Sequence, residues 1–348
     1  MVDQDQNKKY LIIGPSWVGD MVMAQSLFID IKLREPRAQI DVLAPAWTAA
    51  LIDRMPQVTK LIETNFNHGK LSLRERLPLG KRLRSENYTH SIILPNSLKS
   101  ALVSFVAKIP NRVGFIGEQR WGLLNDARKL NKKKFPMTVQ RFIALGLERG
   151  AVARPVASIP SPLLKVMKEH VGRVVKKNQL DLASEVLILC PGAEFGASKK
   201  WPSRHYADVA LEYLSKGWQV WLMGSDNDVL ACDEINNLIG GKSIVLAGKT
   251  SLPEAIDLIS CASLVVSNDS GLMHIAAALQ KPLIAIYGST DPGHTPPLSD
   301  NHRVARLNLP CSPCFKRDCP LTHLDCLNKL PSSTVLELAQ TLYDAEVS

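Results

Sequence analysis

The chain has 348 residues, 45% of them apolar and 22% charged, which excludes a disordered, collagenous or coiled-coil protein. At roughly 150 residues per domain the length predicts two domains, each able to bury a core. No apolar run reaches the ~18 residues of a membrane span, and seven cysteines in so long a chain predict free thiols rather than a disulfide framework.

The opening residues, MVDQDQNKKYLIIG, are polar and then enter a strand pattern. They lack the apolar stretch and cleavage site of a signal peptide, so a cytoplasmic protein is expected. Residues 1–165 hold 26 Lys/Arg against 13 Asp/Glu, a formal +13, and residues 166–348 hold 16 against 20, a formal −4. Such asymmetry predicts a division of labour, with the basic half meeting something anionic or simply presenting a solvated basic face.

In chain order, β-rich runs stand at Tyr10–Gly14, Gln39–Ala44, Lys60–Glu63 and His90–Leu94. They resume at Val186–Cys190, Gln219–Met223, Ser243–Leu246, Leu264–Ser267 and Leu283–Tyr287. Helical patterns lie between them, at Asp20–Arg34, Ser97–Lys108, Ser203–Ser215, Asp228–Leu238, Leu252–Ser260 and Leu272–Leu279. A helix-rich, Pro-bearing stretch at about 155–183 separates two rounds of this rhythm, and Ser332–Glu346 reads as a last helix. Alternation of this kind predicts an α/β protein with two doubly wound, Rossmann-like domains facing a central cleft. The expected division is 1–165, 166–330 and a terminal helix at 331–348. In parallel sheets ligands bind beyond the carboxyl ends of the strands, so the loops there carry the chemistry.

The loop Gly14-Pro-Ser-Trp-Val-Gly19-Asp20 places an acid at a helix start. It is either a helix-terminal carboxylate satisfying the dipole or a general base. The loop is not Gly-x-Gly-x-x-Gly, which argues against a nicotinamide-linked oxidoreductase. Pro191-Gly192-Ala-Glu-Phe-Gly196-Ala-Ser-Lys199-Lys200-Trp-Pro brings small residues and two lysines to a helix N-terminus, a pattern suited to an anion. Gly241-Lys-Ser and Gly248-Lys-Thr do not complete a phosphate-binding P-loop, because Asn236 and Ser243 stand where its first glycine belongs. Asp226 ends the second strand of its half, where an acid receives ribose hydroxyls; Asp226-Asn-Asp228 also imitates an Asp-x-Asp metal motif, and Asp228 equally fits a helix cap. Ser267-Asn-Asp269-Ser270-Gly271-Leu-Met-His274 opens a helix as a second anion cradle, in which His274 is either a ligand contact or a core residue. Gly288-Ser-Thr290 ends the next strand and borders the same place. Cys311, Cys314, Cys319 and Cys326 lie within sixteen residues but contain only one Cys-x2-Cys pair, so free thiols are expected over a zinc site.

Taken together, Gly-Pro-Ser-Trp-Val-Gly-Asp (14–20), Pro-Gly-Ala…Lys-Lys-Trp-Pro (191–202) and Asp-Ser-Gly-Leu-Met-His-Ile-Ala-Ala-Ala-Leu (269–279), continuing through Pro282 to Gly288-Ser-Thr-Asp-Pro, resemble the ADP-heptose:lipopolysaccharide heptosyltransferases, glycosyltransferase family 9, of the GT-B fold. The segment Cys-Ser-Pro-Cys-Phe-Lys-Arg-Asp-Cys-Pro is most similar to the type II members, which add the second inner-core heptose. The resemblance implies inverting transfer from ADP-heptose to a heptosyl-Kdo2-lipid A acceptor at the inner membrane's anionic cytoplasmic surface, with no cofactor, metal or nucleic acid. It implies Asp20 as base and Lys199, beside Lys200 and Gly192, as the diphosphate contact. Asp226 falls on the ribose-binding acid, and Asp269, Ser270, Gly271 and His274 fall in the donor motif. Lys99, Arg112 and Arg120 are the candidate acceptor contacts. Transfer onto Kdo itself, and sugar-nucleotide 2-epimerase chemistry on the same fold, are the alternatives.

Overall fold

The computed structural model describes residues 8–66, 70–150 and 158–347. The polar residues 1–7 and the first part of the 155–183 stretch lie outside them. The chain divides into two compact units, Met1–Pro162 and Leu163–Ser348.

The first unit runs β1 (Lys9–Ile13), α1 (Val18–Arg34), β2 (Gln39–Pro45), α2 (Ala49–Ile52), β3 (Lys60–Thr64), α3 (Leu73–Arg82), β4 (His90–Ile93), α4 (Leu98–Val106), β5 (Asn111–Phe115), β6 (Asp126–Arg128) and α5 (Thr138–Gly146). Its six strands are all parallel, in the order β3-β2-β1-β4-β5-β6. The second unit runs α6 (Lys168–Lys177), β7 (Val186–Cys190), α7 (Ser203–Ser215), β8 (Gln219–Leu222), α8 (Val229–Leu238), β9 (Ile244–Val245), α9 (Leu252–Ile259), β10 (Leu264–Asn268), α10 (Gly271–Ala278), β11 (Leu283–Ile286), β12 (His302–Ala305), α11 (Asp325–Asn328) and α12 (Ser332–Val347). Its strands are again parallel, in the order β9-β8-β7-β10-β11-β12. Counted within each unit, both sheets follow the order 3-2-1-4-5-6 of the doubly wound fold.

Helices cover the faces of such sheets, so their inner strands are apolar throughout rather than alternating. Every residue of β7 (VLILC) and β10 (LVVSN) is buried. Three strands escape the sequence reading. β5 carries Asn, Arg and Gly, β6 is only Asp-Ala-Arg, and β12 begins His-Arg. β6 and β12 are edge strands with one flank open, where apolar continuity is not required, and β5 lies between β4 and the edge strand β6. The order reverses between β1 and β4, and again between β7 and β10. Those two switch points select the loops that matter.

Candidate active-site loops

In the second unit the loops after β7 and β10 are joined by one side chain. Asn268 Nδ2 donates to Pro191 O at 2.6 Å, and the Trp201 backbone N–H donates to Asn268 Oδ1 at 3.2 Å. Asn268 is fully buried, so both ends of the 191–201 loop are held from the end of β10. Trp201 seals the loop's exit, its indole N–H donating to Leu330 O at 3.0 Å. Inside the loop, Gly196 has φ +151°, and a Cβ there would lie 2.5 Å from Arg317 O. Only glycine tolerates that approach.

Lys199 follows from this clamp. Its Nζ lies 2.6 Å from Asp269 Oδ2 and 5.0 Å from the centre of the Phe195 ring. Thr290 Oγ1 donates to the same carboxylate oxygen at 2.6 Å. Lys199, Asp269 and Thr290 thus bring together the loops after β7, β10 and β11. Ser270 caps α10, accepting from Met273 N–H at 3.4 Å, and Gly271 begins that helix. A lysine and a helix N-terminus in one place favour an anion.

His274 is buried in the second turn of α10, and burial pushes its imidazole pKa down to about 4, against a smaller upward pull from Asp269. The ring is therefore neutral at pH 7. A histidine depressed in the fold binds fewer protons than the unfolded chain between about 4 and 6.5. Stability should then fall as pH drops through that window, by about 3 kcal/mol in all. Urea denaturation at pH 7 and pH 4.5 checks this. A His274→Gln protein with the same loss on acidification would assign the effect to other groups.

Lys200 stands apart from Lys199. It lies 3.8 Å from Asp228 Oδ1 and lines an open pocket of about 280 Å3 together with Gly196, Ala197 and Asn227. The Asp228 carboxylate is buried against two glycines. A Cβ on Gly192 would sit 2.3 Å from it, and one on Gly224 would meet Asp228 Cβ at 2.6 Å. Asp228 also receives the Ser225 backbone N–H and hydroxyl, both at 2.9 Å, so it behaves as a cap and an ion-pair partner. Asp226, at the start of that turn, is exposed. Gly192 is required by the space Asp228 occupies.

In the first unit Asp20 lies in the first turn of α1, partly buried, directly after the central strand β1. Lys99 is partly exposed in the first turn of α4, which follows β4 across the switch point. Of the two arginines expected at an acceptor surface, Arg120 points inward and Arg112 is partly exposed. Arg120 is 1% exposed. Its guanidinium donates to Phe115 O at 2.6 and 3.0 Å, Pro95 O at 2.7 Å and Ser100 Oγ at 3.0 Å. Burial lowers its pKa to about 10, which leaves it charged. Arg112 donates to Leu123 O at 2.7 Å and Ile109 O at 2.6 Å. Arg120 braces loops at the carboxyl edge of the sheet, after β4 and β5, whereas Arg112, near the start of β5, braces the segments that enter β5 and β6 at the amino edge.

All seven cysteines are free. Among the described residues no group of three or more His, Cys, Asp or Glu is arranged to hold a metal ion as it stands. Sequence reasoning gives Thr290 only as a bordering residue and passes over Asn268. A polar amide closing an otherwise apolar strand is the available signal.

A family described as glycosyltransferase family 9 (heptosyltransferase) matches residues 76–325. Lipopolysaccharide heptosyltransferase 2 of Salmonella typhimurium is 43% identical over 346 residues, spanning 97% of this chain and 99% of that protein. Lipopolysaccharide heptosyltransferase 2 of Escherichia coli is 47% identical over 307 residues, spanning 86% and 88%. The solved structure of E. coli ADP-heptose LPS heptosyltransferase II shares 40% identity at a TM-score of 0.86, over 98% of this chain and all of that one.

Proposed function

The chain belongs to glycosyltransferase family 9 and is a heptosyltransferase of the GT-B class; on that premise we propose that it moves heptose from ADP-heptose, with inversion, onto the first heptose of the Kdo2-lipid A core. The observation carrying the reading is the meeting of Lys199, Asp269, Thr290 and the start of α10 at one switch point. That constellation suits a nucleoside diphosphate as leaving group. The 43% identity to a heptosyltransferase 2 along nearly the whole chain supports the type II acceptor.

Inversion needs a base on one face of the anomeric carbon and a stabilised leaving group on the other. Asp20 takes the proton of the acceptor hydroxyl. Lys199 and the α10 N-terminus neutralise the charge that develops on ADP. Asp226, exposed at the end of β8, receives the ribose hydroxyls. The formal +13 of residues 1–165 favours an acceptor rich in phosphates and carboxylates, and a peripheral encounter with an anionic membrane surface. Among the described residues no helix is long and apolar enough to cross a membrane.

The deciding experiment offers ADP-heptose with either heptosyl-Kdo2-lipid A or Kdo2-lipid A. Transfer to the first alone is expected. Transfer to the second would assign type I chemistry, and epimerisation of a nucleotide sugar without transfer would assign the epimerase reading.

Lys99→Ala should raise the acceptor KM and flatten its rise with salt, because attraction between exposed charges is screened over ~8 Å. Arg120→Ala should act differently. It leaves buried carbonyls without donors, at ~1–3 kcal/mol for each group. Its signature is a lower denaturation midpoint, with unchanged salt sensitivity in the protein that remains folded. If instead Arg120→Ala leaves the midpoint intact and raises the acceptor KM, its guanidinium reaches the acceptor.

A further inference from the structure

Exposed leucines of the first unit are concentrated around the start of α3. Leu71, Leu73 and Leu77 are 45%, 42% and 39% exposed, all within seven residues. Leu73, Leu77 and Lys81 follow one another at i, i+4 and i+8, so they form one stripe along the helix, with Arg74 beside it. Lys70, Arg74, Lys81, Arg82 and Arg84 are all exposed, against one acid, Glu75, between residues 70 and 84. The next acid, Glu86, is taken by Lys9 and Lys60. Among the described residues no carboxylate pairs with Lys70, Arg74, Lys81 or Arg82.

The opposite face of α3 is fixed, so the stripe stays outward. Gly80 packs on α4, where a Cβ would lie 2.7 Å from Val106 Cβ. Arg76, one turn earlier on the same side, is buried. It donates to Leu71 O at 3.0 Å and to Lys99 O at 3.1 Å, and its guanidinium lies 3.8 Å from the centre of the Phe66 ring. Arg84 donates to Val106 O at 2.8 Å just beyond the helix. Ser72, between two of the leucines, has φ +47°, a left-handed conformation that a residue with a Cβ adopts at a cost. Both of its leucine neighbours remain in solvent.

We propose that this stripe is where the first unit lies against an anionic phospholipid bilayer, with α3 resting in the headgroup layer; the membrane encounter proposed above is its premise. The leucines enter the acyl boundary, and the lysines and arginines reach back to lipid phosphates. A protein partner calls for an apolar centre with its charges at the rim. Here the cations are interleaved with the leucines, as an interfacial helix requires. The formal +13 of residues 1–165 adds attraction to the same surface.

The test mixes the full chain, without nucleotide or acceptor, with vesicles rich in phosphatidylglycerol or made of phosphatidylcholine alone, and measures the fraction that sediments with lipid. Binding to the first, weakened by salt, and not to the second is expected. Arg74→Ala/Lys81→Ala should lower the partition about 30-fold, and Leu73→Asn/Leu77→Asn roughly tenfold. Both variants should transfer heptose to a detergent-dispersed acceptor at the wild-type rate and lose rate only when the acceptor is embedded in vesicles. Wild-type protein that ignores anionic vesicles overturns the proposal even where a variant fails to fold, as does a folded leucine variant that binds them undiminished. An equal loss with the dispersed acceptor would overturn it in favour of the acceptor site, and a wild-type dimer broken by the leucine variant in favour of a second copy. No transfer by the wild type even to the dispersed acceptor would count against the reaction proposed above, and the vesicle measurement, made without substrate, would still decide the membrane surface.

Discussion

Replacing Asp20 with Asn should lower kcat by ~10²–10⁴, the usual contribution of a general base, while ADP affinity stays nearly unchanged. Asn keeps the shape of the side chain and cannot accept a proton. The residues proposed to hold the nucleotide all belong to the second unit, whereas Asp20 opens α1 in the first. The loss should therefore fall on turnover and not on donor binding. Initial rates at saturating acceptor, with calorimetric titration of ADP, separate the two. An Asp20→Asn protein that keeps wild-type kcat would remove Asp20 from the reaction.

Asp269→Ala should destabilise the second unit by ~3–5 kcal/mol, because it leaves a buried cation without its carboxylate. The Lys199 side chain is 13% exposed and that of Asp269 4%, so water replaces the lost partner only in part. Thr290 also loses the acceptor for its hydroxyl. Lys199→Ala should weaken ADP binding by ~1.5–3 kcal/mol, the range for a hydrogen bond to a charged group. Lys200→Ala should do less, since its ammonium lies in a more open setting. Removing Lys199 and Asp269 together should cost less stability than the two single losses combined, the mark of a coupled pair. Urea denaturation of the three proteins measures this. Strict additivity would mean the pair is not coupled, and a larger affinity loss for Lys200→Ala would move the phosphate contact by one residue.

How legible the molecule is from its sequence depends on distance along the chain. Buried parallel strands announce themselves, because both faces are covered and the run is apolar end to end; β7 and β10 are legible almost to the residue. Edge strands need no such run, which hides β6 and β12. The loop bearing Lys199 is legible from its small residues and reversed local charge. Its partner Asp269 lies 70 residues away, and no local pattern links them. Arg120 shows the opposite failure. In a basic half an arginine reads as a surface cation, yet this one is consumed by backbone carbonyls, which every residue possesses and which leave no trace in composition.

The Asn268 amide has a bearing on the thermodynamics of donor binding. Holding a residue in a single backbone conformation costs roughly 1–2 kcal/mol of entropy. Because one amide grips Pro191 and Trp201 together, the ordering of the loop between them is settled during folding. If the proposed donor site lies there, a diphosphate meets a loop whose two ends are already held, and less of its affinity is lost to organising it. Backbone amides of that loop should exchange slowly with deuterated solvent even without nucleotide, and the heat capacity of ADP binding should carry no large signature of coupled folding.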